Sequence, residues 1–161
     1  RYGNVVGSRG SVIQLWRDAI AADRPIPLTH PDMSRFWMSI TQAVELVNTA
    51  LSRMEGGEVF IPKLPALTLR ELASLLAGES YPVILTGMRP GGEKLHEELL
   101  SPEEVTRTHD GGEVYIVAPS LVTWRNELPD YGPLVAPGFE YRSDNAPKVD
   151  ADRMRQMLEA A

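Results

Sequence analysis

Met88-Arg89-Pro90-Gly91-Gly92-Glu93-Lys94-Leu95-His96-Glu97-Glu98-Leu99-Leu100 follows directly on the apolar run Tyr81-Pro82-Val83-Ile84-Leu85-Thr86-Gly87. The run reads as a strand, the glycine pair as a turn, and Lys94 to Leu100 as one short helix, so the stretch is a strand-to-helix turn. An arginine, two glycines and a lysine crowded into such a turn face an anion, because a guanidinium forks onto phosphate oxygens and turn amides carry partial positive charge. A second element, Thr29-His30-Pro31-Asp32-Met33-Ser34-Arg35-Phe36-Trp37, sets Arg35 between a turn and an apolar helix start. Two arginines on two loops describe a clamp for a diphosphate. The plain alternative is a salt bridge for each, with Asp32 or Glu93 as partner.

Working outward, Tyr2-Gly3-Asn4-Val5-Val6 reads as a strand that opens the chain without a preceding element, which reads as a fragment of something longer. Ser11 is placed to cap a helix with Val12, Ile13, Leu15, Trp16 and Ile20 in one stripe, ending near Ala22 or Asp23. Pro25-Ile26-Pro27-Leu28-Thr29 is extended, since each proline disfavours helix at the residue before it, and its prolines confine it to an edge or isolated strand. Thr41 to Met54 is the clearest helix, with Ala43, Val44, Leu46, Val47, Ala50, Leu51 and Met54 on a wide apolar face and Gly56-Gly57 as the stop. Glu58 to Pro62 is a strand. Thr68 and Glu71 have the spacing of a capping box ahead of Leu69, Leu72, Leu75 and Leu76. Ser101-Pro102-Glu103-Glu104 starts another helix, and Glu113 to Val117 is a strand. Ala118 to Pro147, rich in Pro, Gly, Asp and Asn, reads as an irregular tail crossing the surface, followed by a terminal helix over Asp150 to Ala161 with Met154, Met157 and Leu158 inward. The order of elements is mixed α/β.

A chain of 161 residues with 43% hydrophobic side chains buries a core of ordinary domain size. Its 22 acidic and 16 basic residues leave a net charge of -6, which opposes general attraction to nucleic acid or anionic lipid. Any anion is therefore held by a local cluster. Cysteine is absent, which excludes disulfides, thiolate nucleophiles and cysteine-ligated metal, and fits a cytoplasmic location.

Gly7-Ser8-Arg9-Gly10-Ser11 is either a phosphate cradle at a helix N-terminus or a plain connection. Asn4, at the end of a strand before that turn, is better placed for a ligand than for a core. Glu93 is either an acceptor for sugar hydroxyls or a charge favoured by a helix dipole. His30, His96 and His109 lack the spacing of a helical metal site, so no metal is expected. Glu97, Glu98, Glu103 and Glu104 read as a solvated face, and Phe36, Trp37 and Met38 as core. No tyrosine is followed by a lysine four residues later, and no G-x-G-x-x-G turn is present to hold a dinucleotide.

Together these residues resemble the inverting UDP-N-acetylglucosamine 4,6-dehydratases and related capsular and flagellar polysaccharide-biosynthesis proteins of the extended short-chain dehydrogenase class. The resemblance rests on Arg1 through Val12, on Pro27-Leu28-Thr29 with Asp32 to Trp37, on Gly56 to Lys63, and on Arg89-Pro90 through Leu99. It implies an α/β fold in which this chain is the C-terminal substrate-binding part and an N-terminal, NADP-binding Rossmann half is missing. It implies that Asn4 and the Gly10-Ser11-Val12 turn touch the UDP moiety, that Thr29 lies near the uridine, that Arg35 and Arg89 hold the diphosphate, and that Glu93 lies next to the ribose. The implied reaction oxidises the sugar at C4, eliminates water across C5 and C6, and returns hydride to C6 with inversion at C5. The catalytic lysine, acid and tyrosine fall before Arg1 on this reading, so the fragment alone is expected to be inactive. A cytoplasmic homo-oligomer is implied for the full-length protein, with a UDP-sugar as its substrate and no nucleic-acid or membrane partner. Two departures stand out: the family's Arg-Pro-Gly-Glu-Lys carries an additional glycine here, and Gln14 occupies a position where proline is typical.

The expected division is residues 1–10 as the last part of the nucleotide-binding sheet, 11–118 as the nucleotide-sugar-binding region, and 119–161 as an irregular tail and terminal helix. Two other readings stay open: a nucleotide-sugar epimerase of the same class, and a stand-alone nucleotide-sugar-binding module.

Overall fold

The computed structural model describes residues 1–124 and 127–160. Arg125 and Asn126, within the expected tail, and Ala161, at the end of the expected terminal helix, lie outside the described residues. The elements run β1 (Asn4–Val5), α1 (Val12–Ala21), β2 (Ile26–Leu28), β3 (Ser34–Met38), α2 (Ile40–Arg53), β4 (Val59–Pro62), β5 (Ala66–Thr68) and α3 (Leu69–Ala77). They continue through β6 (Val83–Leu85), β7 (Glu98–Leu100), α4 (Pro102–Val105), β8 (Thr108–Asp110), β9 (Val114–Val117), β10 (Tyr141–Arg142) and α5 (Ala151–Glu159).

β3 organises the molecule. It pairs parallel with β1, Asn4 opposite Trp37, and antiparallel with β5, Arg35 opposite Leu67. All five of its residues are buried. Because successive strand side chains point to opposite faces, Phe36 and Met38 enter one core with Ile61, Leu64 and Leu100, while Trp37 enters another with Ile13, Trp16, Leu72 and Met154. Each such side chain contributes about 1.5–3 kcal/mol on burial. The second core is where α1, α3 and α5 meet β2, which pairs parallel with β6. Two further sheets, β4–β9–β8 and β7–β10, complete the fold.

Local chemistry sets the helix boundaries. Ser39 and Thr68 accept from the amides of Gln42 and Glu71, whose side chains reach back to the cap amides, so α2 and α3 both open on capping boxes. α1 ends where Asp23 turns left-handed at φ 51°, as a helix C-terminus favours. Ser11 has the extended backbone of a cap, yet its side chain makes no capping hydrogen bond, contrary to expectation.

Several expectations are corrected. Lys94 to Leu100 forms no helix; it ends in β7, antiparallel to β10. Its backbone groups are claimed by distant partners, with Ser34 N donating to Leu95 O at 3.0 Å and Ser143 N to Glu97 O at 2.9 Å, and seven residues are too few to hold a helix against them. Arg35, Phe36 and Trp37 begin no helix either, because they are β3 itself. On α2 only Ala43 and Leu46 are buried, while Val44, Val47, Leu51 and Met54 face outward. The tail is more than a surface crossing: the Tyr141 hydroxyl donates to Pro62 O at 2.9 Å and accepts from Leu64 N, and its ring lies 4.8 Å from Phe36. Burial pushes the Tyr141 phenol up to about 12. Glu104, expected on a solvated face, accepts from both terminal nitrogens of Arg1 at 2.6 and 2.5 Å. Among the described residues, no helix is long and apolar enough to cross a membrane.

Candidate functional site

The end of β1, the N-terminus of α1, the exit of β2, the outer face of β3 and the loop after β6 converge on one cleft. A cavity of about 250 Å³ is lined by Asn4, Gly10, Ser11, Val12, Thr29, Arg35, Trp37, Arg89 and Glu93 among others. Arg35, Arg89 and Glu93 also line an adjoining cavity of about 540 Å³ with Pro90 to Lys94 and Glu97. Two lobes sharing three charged residues form a cleft of the size that takes a small ligand, ~300–1,000 Å³. Larger cavities of about 650 and 610 Å³ are also present, the first sharing Val5 and Ser8 with this cleft, but each has a single arginine in its wall, Arg153 or Arg142. A multiply charged anion needs more than one cation, so chemistry and not volume singles out the cleft. The structure thus brings every residue singled out in the sequence, Asn4, Gly10, Ser11, Val12, Thr29, Arg35, Arg89 and Glu93, to one place.

The two arginines are held differently. Arg35 is 8% exposed, and its guanidinium donates to Ser34 O at 2.7 Å, Leu95 O at 3.2 Å and Lys94 O at 2.9 Å. Its Nε lies 3.5 Å from Glu97. The donors to Leu95 O and Lys94 O therefore tie the Arg89 loop to β3. Burial pushes the Arg35 guanidinium down, opposed by Glu97 and Glu93. The Arg89 side chain is 82% exposed and pairs with Glu93 at 3.0 Å, so it is free to exchange that partner for a ligand. Hydrogen bonds from the Arg89 side chain and backbone amide hold the Glu93 carboxyl below its usual range. Salt bridges thus exist for both arginines, with Glu97 instead of Asp32 serving Arg35. Gly91 and Gly92 both adopt positive φ, 108° and 96°, so the additional glycine lets the loop turn where a side chain would be strained.

Two buried polar atoms in the walls have no hydrogen-bond partner, Ser11 Oγ and Trp37 Nε1. An unpartnered buried donor costs about 1–3 kcal/mol, and both atoms belong to residues that line this cavity. Sequence reasoning assigned Trp37 to the core, where it is found at 1% exposure, and the residue also lines this cavity. The signal was available: Trp37 lies two residues beyond Arg35, so on a strand both share a face. The histidines lie apart, His30 Nδ1 receiving the Asp32 amide, His96 Nδ1 meeting Ser34 Oγ and His109 Nδ1 meeting Gly132 O. Among the described residues, no group of three His, Asp or Glu side chains is placed to hold a metal ion. What the cleft offers is donors, a forked cation and apolar walls, which is the chemistry of binding an anion.

Comparisons with known proteins fit this geometry. Residues 1–119 match the family described as polysaccharide biosynthesis protein. Over 95% of its length the chain is 40% identical to a UDP-N-acetylglucosamine 4,6-dehydratase (inverting) of Campylobacter jejuni subsp. jejuni serotype O:23/36, of which it spans 48%. It is 33% identical, over 98% of its length, to a UDP-glucose 4-epimerase of Rickettsia felis, again spanning 48%. The X-ray structure of Pen from Bacillus thuringiensis superimposes with a TM-score of 0.83 at 31% identity, over 99% of this chain and 48% of that one. The chain therefore spans about half the length of the relatives it matches, and its mixed α/β fold is part of an extended short-chain dehydrogenase fold. With about three quarters of its residues inside the matched region, the chain belongs to the polysaccharide biosynthesis protein family.

Proposed function

We propose that this chain is the nucleotide-sugar-binding portion of a UDP-N-acetylglucosamine 4,6-dehydratase. The observation that carries the reading is the convergence of Asn4, the Gly10-Ser11-Val12 turn, Thr29, Arg35, Arg89 and Glu93 on one cleft that also holds two unpartnered buried donors. On this reading Arg89 releases Glu93 to take the diphosphate, Arg35 contributes its remaining N–H while anchoring the loop, and Glu93 turns to a ribose hydroxyl. Ser11 Oγ and the Trp37 indole N–H are further donors to the nucleotide. The cleft supplies no acid–base pair, so its work is to bind and orient.

The implied cofactor, NADP, does not fit the residues of this chain taken alone. Its Gly7-Ser8-Arg9-Gly10 turn lacks the three-glycine spacing of a dinucleotide cradle, and two of its residues, Ser8 and Gly10, line the proposed sugar-nucleotide cleft. We derive no step through NADP. A cytoplasmic enzyme acting as a homo-oligomer belongs to the same proposal. A second reading, an epimerase of the same class, is favoured by the similarity to UDP-glucose 4-epimerase.

The test is calorimetric titration of UDP into the chain. Arg89→Ala is expected to weaken binding about tenfold, as for a lost charge-assisted hydrogen bond, with the melting temperature unchanged because the side chain is exposed. An unchanged dissociation constant sinks the clamp. An NMR time course of UDP-N-acetylglucosamine with the complete gene product and NADP separates the two enzymes: a new C6 methyl signal means dehydration, a C4 epimer without it means epimerisation.

A further inference from the structure

The tail beyond the family-matched region reaches back to β3 and the Arg89 loop, behind the cleft, through one buried hydroxyl. Ser143 is 4% exposed and Ser34 2%, and their hydroxyls lie 2.7 Å apart although the residues are 109 positions apart in sequence. Ser143 holds both backbone polar groups of Glu97: its Oγ accepts from Glu97 N at 2.8 Å, and its own amide donates to Glu97 O at 2.9 Å. The Glu97 carboxylate in turn faces Arg35 Nε. On the other side Ser34 Oγ meets His96 Nδ1 at 2.8 Å, and His96 Nε2 looks toward Asp144 at 3.8 Å. The Ser143 hydroxyl also lies 3.0 Å from Ser34 O as a donor, so Ser143 Oγ, Ser34 Oγ and His96 Nδ1 form one continuous chain of hydrogen bonds, with Asp144 beyond hydrogen-bond reach of Nε2.

A buried hydroxyl pair with several hydrogen bonds restricts geometry, and this one joins the tail, the Arg89 loop and β3. Apart from it, the hydrogen bonds that reach this loop from β3 among the described residues come from Arg35 and the Ser34 amide, and Leu95 packs against the core. We propose that Ser143, acting with His96, is a positioning residue that sets the Arg89 loop and Arg35 for the diphosphate of the bound nucleotide. The inference rests on the nucleotide-binding reading and adds to it a residue outside residues 1–119, the span that carries the family match.

The experiment compares UDP with uridine, which presents the same nucleoside and no phosphate, by calorimetry on the 161-residue chain. Ser143→Ala is expected to weaken UDP binding about tenfold, since misplacing binding groups by a fraction of an ångström has large effects, and to leave uridine binding within about twofold. His96→Ala is expected to do the same, and His96→Asn, which keeps a hydrogen-bonding atom near the position of Nδ1, to restore UDP binding to within about threefold. Equal losses for UDP and uridine, or no loss for either, overturn the proposal, as does His96→Asn binding as weakly as His96→Ala. Should Ser143→Ala fail to fold, the His96 pair decides on the same criteria. A wild-type chain that does not bind UDP sinks the nucleotide-binding reading and this one with it; a wild-type chain that binds, with variants that bind equally well, sinks this one alone.

Discussion

Replacing Ser11 by alanine separates a helix cap from a ligand group, because the chain provides its own controls. The Ser39 and Thr68 hydroxyls each accept from an N3 amide at 3.1 Å, and the backbone amides of Ser39 and Thr68 donate to the N3 side chains at 2.9 Å. Removing such a cap costs about 1 kcal/mol. Ser11 occupies the same position on α1, with φ -70° and ψ 157°, but makes no capping bond, and its Oγ is buried without a partner. Ser11→Ala therefore loses no cap and removes an unpartnered hydroxyl, a relief of up to about 1 kcal/mol. We expect its unfolding free energy to stay within about 0.5 kcal/mol of wild type or to rise, whereas Thr68→Ala falls by about 1 kcal/mol. UDP affinity should move the other way. Losing one hydrogen bond to the nucleotide, worth about 1 kcal/mol, predicts a roughly fivefold weakening for Ser11→Ala and none for Thr68→Ala. Urea unfolding at a common m-value and calorimetric titration supply the two readouts. If Ser11→Ala destabilises as much as Thr68→Ala while UDP binds as before, Ser11 is an ordinary cap and the argument from its unpartnered hydroxyl fails.

Arg35→Lys should lower the unfolding free energy by about 2 kcal/mol, because one ammonium cannot serve the three carbonyls of Ser34, Lys94 and Leu95 that the guanidinium bridges; urea denaturation checks this, and a loss below about 0.5 kcal/mol counts against it. The Arg1 hydrogen bonds pull the Glu104 carboxyl down from 4.5 to about 2. A lowered folded-state value stabilises above the unfolded one, so the contribution is complete above about pH 5 and is lost as pH falls toward about 2. Thermal melts of wild type and Glu104→Gln across that range should converge at the acid end, and a constant gap between them refutes the assignment.

How much of this was legible in the sequence depends on whether a residue's partners are near or far. The Thr68–Glu71 capping box and the inward face of α5 involve residues a few positions apart, and both stand as read, whereas α2 ends on an extended Met54, before Gly56 and Gly57 are reached. The candidate site residues line one cavity, and their part in binding a ligand belongs to the proposal. Lys94 to Leu100 misled because alternating charges and leucines suit a helix on local grounds, while the decisive bonds come from Ser34 and Ser143. Arg35 to Trp37 misled for the same reason: aromatic residues fit either element, and the parallel partner of β3 lies more than thirty residues upstream. Ser143 carried no signal in one sequence, since a serine in a Pro- and Asn-rich tail looks like every other surface serine.

The bond between Ser34 and Ser143 also has a bearing on time. Loop closure over 109 residues is slow compared with forming a helix or a hairpin. During synthesis, β3 and the Arg89 loop leave the ribosome well before the tail that locks them. The cleft is therefore completed last, and a chain released before Asp144 has every cleft residue without the fastening that orders them. On the proposed reading, weak nucleotide binding in a degraded preparation points to clipping in the tail before any damage to the cleft itself.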